Sequence, residues 1–205
     1  MSGRDAFAAA YPADVASLDA LQRYVDLLGL WQARMNLVAP STLADAWDRH
    51  VADSAQLASL AGTRDATTWL DIGSGAGFPA LVLARLCPGH FHLVEATTKK
   101  CSFLAAAAEA LGVTGRVTIH NTRIEALPTL AADIVTARAC AALPQLFAWG
   151  ARFARGQWLL PKGRTAAAEI AAATVDFTFD HELVASRTDA DARIVVARNV
   201  RRRGG

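Results

Sequence analysis

Lysine, methionine, tyrosine and cysteine are all scarce here, with three lysines, two methionines, two tyrosines and three cysteines among 205 residues. The cysteines, Cys87, Cys101 and Cys140, are odd in number and lack metal-ligand spacing. They argue against a disulfide framework and a metal centre, and predict buried free thiols in a reducing compartment. No run approaches the roughly 18 uninterrupted apolar residues that a membrane helix needs. The opening MSGRDAFAAAYPADV carries acid too early and too little apolar length for a secretory signal. A cytoplasmic, soluble protein with no membrane partner is the expectation. Charge of one sign is missing as well: the formal net charge is +2, too small to announce a nucleic-acid partner by itself. The closing Arg201-Arg202-Arg203-Gly204-Gly205 reads as a frayed basic tail, with phosphate contact as the alternative.

What is present is ample apolar residue content, 53% of the chain, enough for one good-sized core and a modest extension. Apolar residues at Val15, Leu18, Leu21, Val25, Leu28 and Met35 keep helical spacing over 15–35. Pro40-Ser41-Thr42 reads as a stop and a new N-cap, with a helix continuing over 43–60. From residue 67 the period changes. Strands are predicted at 67–72, 91–95, 117–121, 133–137, 157–161, 178–185 and 194–198, with helices at 78–86, 98–111, 143–153 and 165–173. This alternation predicts an α/β fold, a doubly wound Rossmann-like sheet of seven strands, mostly parallel with an antiparallel edge. The expected division is an N-terminal helical extension at 1–62, a main domain at 63–200 and a basic tail at 201–205, in a monomeric chain.

The stretch WLDIGSGAGFP, residues 69–79, follows a predicted strand and opens a helix. Gly73, Gly75 and Gly77 let the chain turn sharply and bring backbone N–H groups against a ligand at the helix start, while Pro79 fits the first helical turn. The dinucleotide fingerprint is G-x-G-x-x-G, whereas this loop is G-x-G-x-G with Phe78 in the last place, which counts against NAD. Asp71 would repel a pyrophosphate but could accept from an ammonium group or a loop N–H. Glu95, twenty residues after Gly75 at the end of the next strand, can accept from two ribose hydroxyls.

At this point the chain resembles the class I S-adenosylmethionine-dependent methyltransferases. The resemblance narrows with Asn36-Leu37, RHVADS at 49–54, the glycine loop, LVEATTKK at 93–100, Arg123-Ile124-Glu125, Ala137-Arg138-Ala139 and Pro161-Lys162-Gly163. In order and spacing these are similar to the bacterial RsmG (GidB) family. The chain departs from that pattern at Val38, Ala80 and Thr98, and Arg193 follows Ala192 where some members have an Arg-His pair. The resemblance implies S-adenosyl-L-methionine as cofactor, with S-adenosyl-L-homocysteine as product. It implies methylation of guanine N7 in the 530 loop of 16S ribosomal RNA, at guanosine 527 in the usual rRNA numbering. Carried over by position, it implies cofactor contacts at Gly73, Phe78, Ile124, Glu125 and Arg138. In a doubly wound sheet the carboxyl ends of the strands converge on one crevice, so those residues, with Asp71, Gly75, Gly77 and Glu95, can surround one ligand.

Guanine N7 has an in-plane lone pair and no proton, so the implied reaction needs no general base, only alignment and exclusion of water. The catalytic residues are left open, with Arg138, Lys162 and His50 as positioning candidates; His50 is read as packed against the sheet domain. The implied partner is 16S rRNA or the assembling small ribosomal subunit. Arg49, Lys99, Lys100, Arg123 and Lys162 are the RNA-binding candidates, all expected near one rim. Two rival readings stay open: a methyltransferase of another RNA, a small molecule or a protein, and a non-catalytic protein that binds a nucleotide or cofactor.

Overall fold

A computed structural model describes residues 3–204. Met1, Ser2 and Gly205, the outermost residues of the expected extension and tail, lie outside it. The chain opens with α1 (Gly3–Ala10) and α2 (Val15–Gln32). Asp14 caps α2 by accepting from the Ser17 N–H at 2.7 Å. Ser17, Ala20, Leu21, Tyr24 and Leu28 fall on one buried face of that helix. Helix α2 stops at Gln32 rather than at 35, because the Gln32 amide turns back on the chain: its oxygen accepts from the Leu37 and Val38 N–H groups and its nitrogen donates to the Val38 carbonyl.

The single helix expected at 43–60 is broken into pieces. A 3-10 turn at Pro40–Thr42 is followed by a π-helical turn at Trp47–Ala52, then α3 (Asp53–Ala55) and α4 (Ala58–Ala61). Helix α4 ends at Gly62, whose φ of 57° supplies the left-handed cap. No helix of the described residues is long and apolar enough to cross a membrane.

The sheet has seven strands: β1 (Thr68–Ile72), β2 (His90–Glu95), β3 (Val117–Asn121), β4 (Ala132–Thr136), β5 (Ala154–Lys162), β6 (Phe177–Ala185) and β7 (Arg193–Arg202). Their order is β3-β2-β1-β4-β5-β7-β6. The first five pair in parallel, and β7 lies antiparallel between β5 and β6. The strand order reverses between β1 and β4, which opens a crevice at their carboxyl ends. Helices α5 (Ala80–Leu86) and α6 (Thr98–Leu111) pack with α2 on one face, where Leu21, Leu28, Leu81 and Phe103 share one buried cluster. Helices α7 (Leu143–Gly150) and α8 (Ala166–Asp176) cover the other, around Phe147 and Trp158. Both faces of β1 are therefore buried past Thr68, which is why Trp69, Leu70 and Ile72 are apolar and Asp71 is the one polar residue among its buried positions.

The tail is a correction. Arg201 and Arg202 belong to β7 and pair with Thr178 and Phe177, and Arg203 donates its N–H to the Asp176 carbonyl at 2.7 Å. These residues are not frayed, because β6 offers a ladder that a local sequence reading cannot see.

Candidate functional site

The glycine loop is pinned at both ends. Gly73 and Ser74 both donate to the Val94 carbonyl at 3.0 Å, and Gly75 donates to Glu95 Oε2 at 3.0 Å. The second Glu95 oxygen accepts from the Thr97 N–H at 2.8 Å. The acid expected to meet a ribose thus also ties the loop to α6, and each oxygen keeps a further lone pair. A Cβ on Gly73, whose φ is 69°, would sit 2.4 Å from the Sγ of Cys140, which is exposed and not buried like Cys87 and Cys101, so any other residue there is strained and must displace that thiol. Pro79 takes the N-cap position instead of the first turn, and α5 starts at Ala80, not 78.

Asp71 is buried under this loop. Its Oδ1 accepts from Thr136 Oγ1 at 2.7 Å, whereas Oδ2 has no partner among the described residues. Burial pushes its pKa up to about 6, against the lowering effects of the Thr136 and Ser74 hydroxyls and then of the Arg138 charge. A buried carboxylate oxygen left without a donor is costly unless something completes it.

Arg138 stands two residues past β4 and reaches back into the extension. Its guanidinium donates to the Arg49 carbonyl at 3.2 Å, pairs with Asp53 Oδ2 at 3.3 Å, and meets His50 Nδ1 at 3.1 Å. It also lies 4.9 Å over the Phe78 ring, whose other neighbours are His50, stacked at 5.0 Å, and Tyr24 at 5.1 Å. Because a guanidinium can only donate, His50 Nδ1 accepts and Nε2 carries the proton toward Thr42 Oγ1, 2.8 Å away. Burial, then the charges of Arg138 and Arg49, push the His50 pKa down to about 4. His50 is a neutral ring with both nitrogens engaged, packed as expected and unavailable as a base. The π-helical turn makes this possible, since its wider spacing lets Arg49, His50 and Asp53 all face one guanidinium.

Two cavities meet at Arg138. One, of about 830 Å³, is lined by the glycine loop, Glu95, Phe78, His50, Lys100 and the Asn36–Val38 segment, and the other, of about 520 Å³, by Lys162, Glu169 and Asp189. They share Arg49, Asp53, Arg138, Ala139 and Cys140. A small cleft of about 160 Å³ continues past Gly73 and Glu95 to Arg123, Ile124 and Glu125. Arg152 holds that turn by donating to the carbonyls of Ile124, Glu125 and Leu127. The N–H groups of Ile124 and Glu125 begin a 3-10 turn with no side-chain cap.

The expected basic rim is only partly assembled. Lys100 faces the larger cavity, but Lys99 lies beside Trp31, Arg34 and Met35 on another surface. Lys162 is a correction as a phosphate contact: Glu169 pairs with it at 2.8 Å, the Ala141 carbonyl accepts at 2.7 Å, and its side chain is 9% exposed. Glu169 lies seven residues downstream on α8, where it neutralises the lysine and also accepts from the Leu143 N–H. Arg49 is half-exposed and pairs with Asp189 at 3.3 Å. The roles of Asp53, Cys140 and Arg152 were missed. Asp53 lies inside the quoted run RHVADS, four residues after Arg49, which was the available signal; Cys140 and Arg152 gave none. Among the described residues no group of three or more His, Cys, Asp or Glu side chains is placed to hold a metal ion.

The family model for GidB, described as rRNA small subunit methyltransferase G, matches residues 17–195. This chain belongs to that family. Proteins named ribosomal RNA small subunit methyltransferase G include one from Methylorubrum extorquens, 48% identical over 188 residues, covering 88% of this chain and 86% of its own. Another, from Rhodospirillum rubrum, is 42% identical over 193 residues, covering 93% and 94%. For the fold, an O-methyltransferase from Bacillus cereus in complex with S-adenosylhomocysteine superposes with a TM-score of 0.63 at 15% identity, over 96% of each chain. The O-methyltransferase TomG from Streptomyces achromogenes gives 0.61 at 17%, over 95% and 93%. Within the methyltransferase G family, then, this chain carries the seven-stranded class I methyltransferase architecture, and its crevice lies at the switch point of that sheet.

Proposed function

We propose that this protein transfers the methyl group of S-adenosyl-L-methionine to N7 of a guanine in the 530 loop of 16S rRNA. The observation that carries the reading is the pair of cavities joined at Arg138: one bears the glycine loop and Glu95, the other opens beside Arg49 with no proton acceptor offered by His50.

The residues present fit the cofactor. Asp71 Oδ2 is a buried acceptor lacking a donor, as an ammonium group requires. Gly73 lines the larger cavity with bare backbone, Glu95 keeps lone pairs for ribose hydroxyls, and the turn at Ile124 and Glu125 offers backbone N–H groups and an apolar side chain to a purine. When bound, the cofactor supplies an electrophilic sulfonium methyl. The protein's own part is alignment: Arg138 forms the wall between the two cavities, Phe78 is locked beneath it, and Lys162 fixes the Ala141 segment on the acceptor side. Because N7 bears no proton, a neutral and fully engaged His50 is no handicap. Arg49, Lys100 and Arg123 remain the proposed phosphate contacts, and a partner of ribosomal RNA follows from the family's printed name.

The test is tritium-methyl transfer to small subunits lacking the modification and to free 16S rRNA, followed by mapping of the labelled base. Label at N7 of one guanine supports the reading. Label on small acceptors alone, or no label while S-adenosylhomocysteine still binds, overturns the rRNA assignment and leaves the fold and cofactor standing.

A further inference from the structure

At the opposite edge of the sheet from the crevice lies a cavity of about 620 Å³ that the proposed reaction does not use. Three arginines from distant parts of the chain line it: Arg64 before β1, Arg155 in β5 and Arg198 in β7. Asp133 is the single carboxylate on its lining, set against three guanidiniums. All three arginines are exposed, and among the described residues no salt bridge engages any of them. The acids nearby each hold a neutral partner instead of a guanidinium. Asp133 accepts from the Thr68 N–H at 2.8 Å, and Asp180, opposite Arg198 in the ladder, accepts from Asn199 Nδ2 at 2.6 Å.

Two of the arginines are also held, Arg64 through its backbone and Arg198 through its side chain. Arg64 begins a closed turn in which its N–H donates to Thr67 Oγ1 and its carbonyl accepts from the Thr67 N–H. Gln157 donates to the carbonyls of Leu60 and Ala61 and accepts from the Arg198 guanidinium at 2.9 Å, which anchors that side chain to the end of α4. Arg201, Arg202 and Arg203 continue the exposed basic surface beyond the cavity along β7. Exposed guanidiniums with few competing acids, on a rigid frame, suit the paired oxygens of phosphodiesters.

We infer that Arg64, Arg155 and Arg198 form a second phosphate-binding surface for the RNA substrate, at the amino-terminal edge of the parallel strands. The inference rests on the proposed rRNA substrate. Lys162 at the crevice edge of β5 and Gln157 beneath the cavity are five residues apart, so the two contact regions are separated by roughly 15–20 Å. A short stem-loop seated in the crevice leaves the far surface empty, whereas a folded rRNA domain can reach both.

The experiment compares the intact protein with the triple variants Arg64→Gln/Arg155→Gln/Arg198→Gln and Arg64→Lys/Arg155→Lys/Arg198→Lys. It measures binding across a salt series and methyl transfer, using a short hairpin of the target loop and full-length 16S rRNA, with S-adenosylhomocysteine affinity by calorimetry. In the glutamine variant, affinity for full-length rRNA is expected to fall about tenfold or more and the log-affinity against log-salt slope to drop by about 2 to 3. The KM for that RNA is expected to rise with kcat unchanged, while hairpin kinetics and S-adenosylhomocysteine affinity stay as in the parent. The lysine variant is expected to keep most of the salt slope. An unchanged slope and KM in the glutamine variant, or equal losses on hairpin and long RNA, would overturn the inference. If the parent methylates neither RNA the proposed function fails instead, and the salt series still reads the surface on its own.

Discussion

At the residue scale the most informative atom is Asp71 Oδ2. Its carboxyl, pushed up to about 6 by burial, is an acid whose folded pKa lies above its unfolded value near 3.9, so ionisation opposes folding. The stability associated with its neutral form is fully present below about pH 4 and is lost as pH rises through about 6. Asp71→Asn removes that titration and keeps an acceptor for Thr136. Denaturant unfolding is expected to show the variant gaining on the parent by on the order of 2 kcal/mol between pH 4 and pH 7. If Asp71 meets the cofactor's ammonium as proposed, the same variant is expected to bind S-adenosylhomocysteine at least about tenfold more weakly at pH 7. A stability gap that stays constant with pH would show that Asp71 does not titrate in this window. Asp71, the glycine spacing and Glu95 were legible because all three fall within or one strand after a single loop. The double duty of Glu95 was not, because its Gly75 and Thr97 partners become adjacent only when β1 and β2 pair.

At the element scale the π-helical turn at Trp47–Ala52 and β7 carry most of what differs from the sequence-based expectation. The turn offers the Arg49 carbonyl, His50 Nδ1 and Asp53 to one planar guanidinium, and no ammonium can reach three acceptors in that fork geometry. Arg138→Lys is therefore expected to behave much like Arg138→Ala, with kcat/KM for methyl transfer lowered about a hundredfold. Amide exchange across residues 47–55 should quicken in both. Near-parental activity in the lysine variant would reduce Arg138 to a point charge. For β7, the pairing of Arg201 and Arg202 with β6 means that deleting residues 201–205 removes ladder hydrogen bonds worth about 0.5–1.5 kcal/mol each. A loss of about 1–3 kcal/mol in urea unfolding is the expected outcome, whereas a frayed tail could be deleted without cost. Helix α6 was read to its final bounds because its apolar period and Gly112 cap are local; the broken 43–60 segment was not, since its turns are set by Arg138, which lies 85 residues beyond Asp53.

At the scale of the whole molecule, the first 62 residues are packed into the sheet domain, not appended to it. Leu21, Tyr24 and Leu28 are fully buried against the α5 and α6 side, and the Tyr24 hydroxyl donates to the Ala76 carbonyl inside the glycine loop. Each of those side chains contributes roughly 1.5–3 kcal/mol by burial, comparable in sum to the whole stability of a small domain. A chain beginning at residue 63 is expected to lack cooperative unfolding and S-adenosylhomocysteine binding, as judged by circular dichroism and calorimetry. Retention of both would mean that the loop holds its shape without Tyr24.

The sequence by itself determined the alternation of strands and helices, the glycine loop after β1, the acid ending β2 and the antiparallel pairing of the last two strands. Each of those features is written in a short local stretch or in the alternation of such stretches, where periodicity, caps and turn chemistry act. Only the tertiary structure decided that Arg138 is held by Asp53 and His50, that Glu169 neutralises Lys162, that Cys140 fills the space beside Gly73, and that three arginines meet at the far edge. Such partners are chosen by strand order and helix packing, which bring distant side chains together through the burial of a shared core and leave no mark in the local pattern.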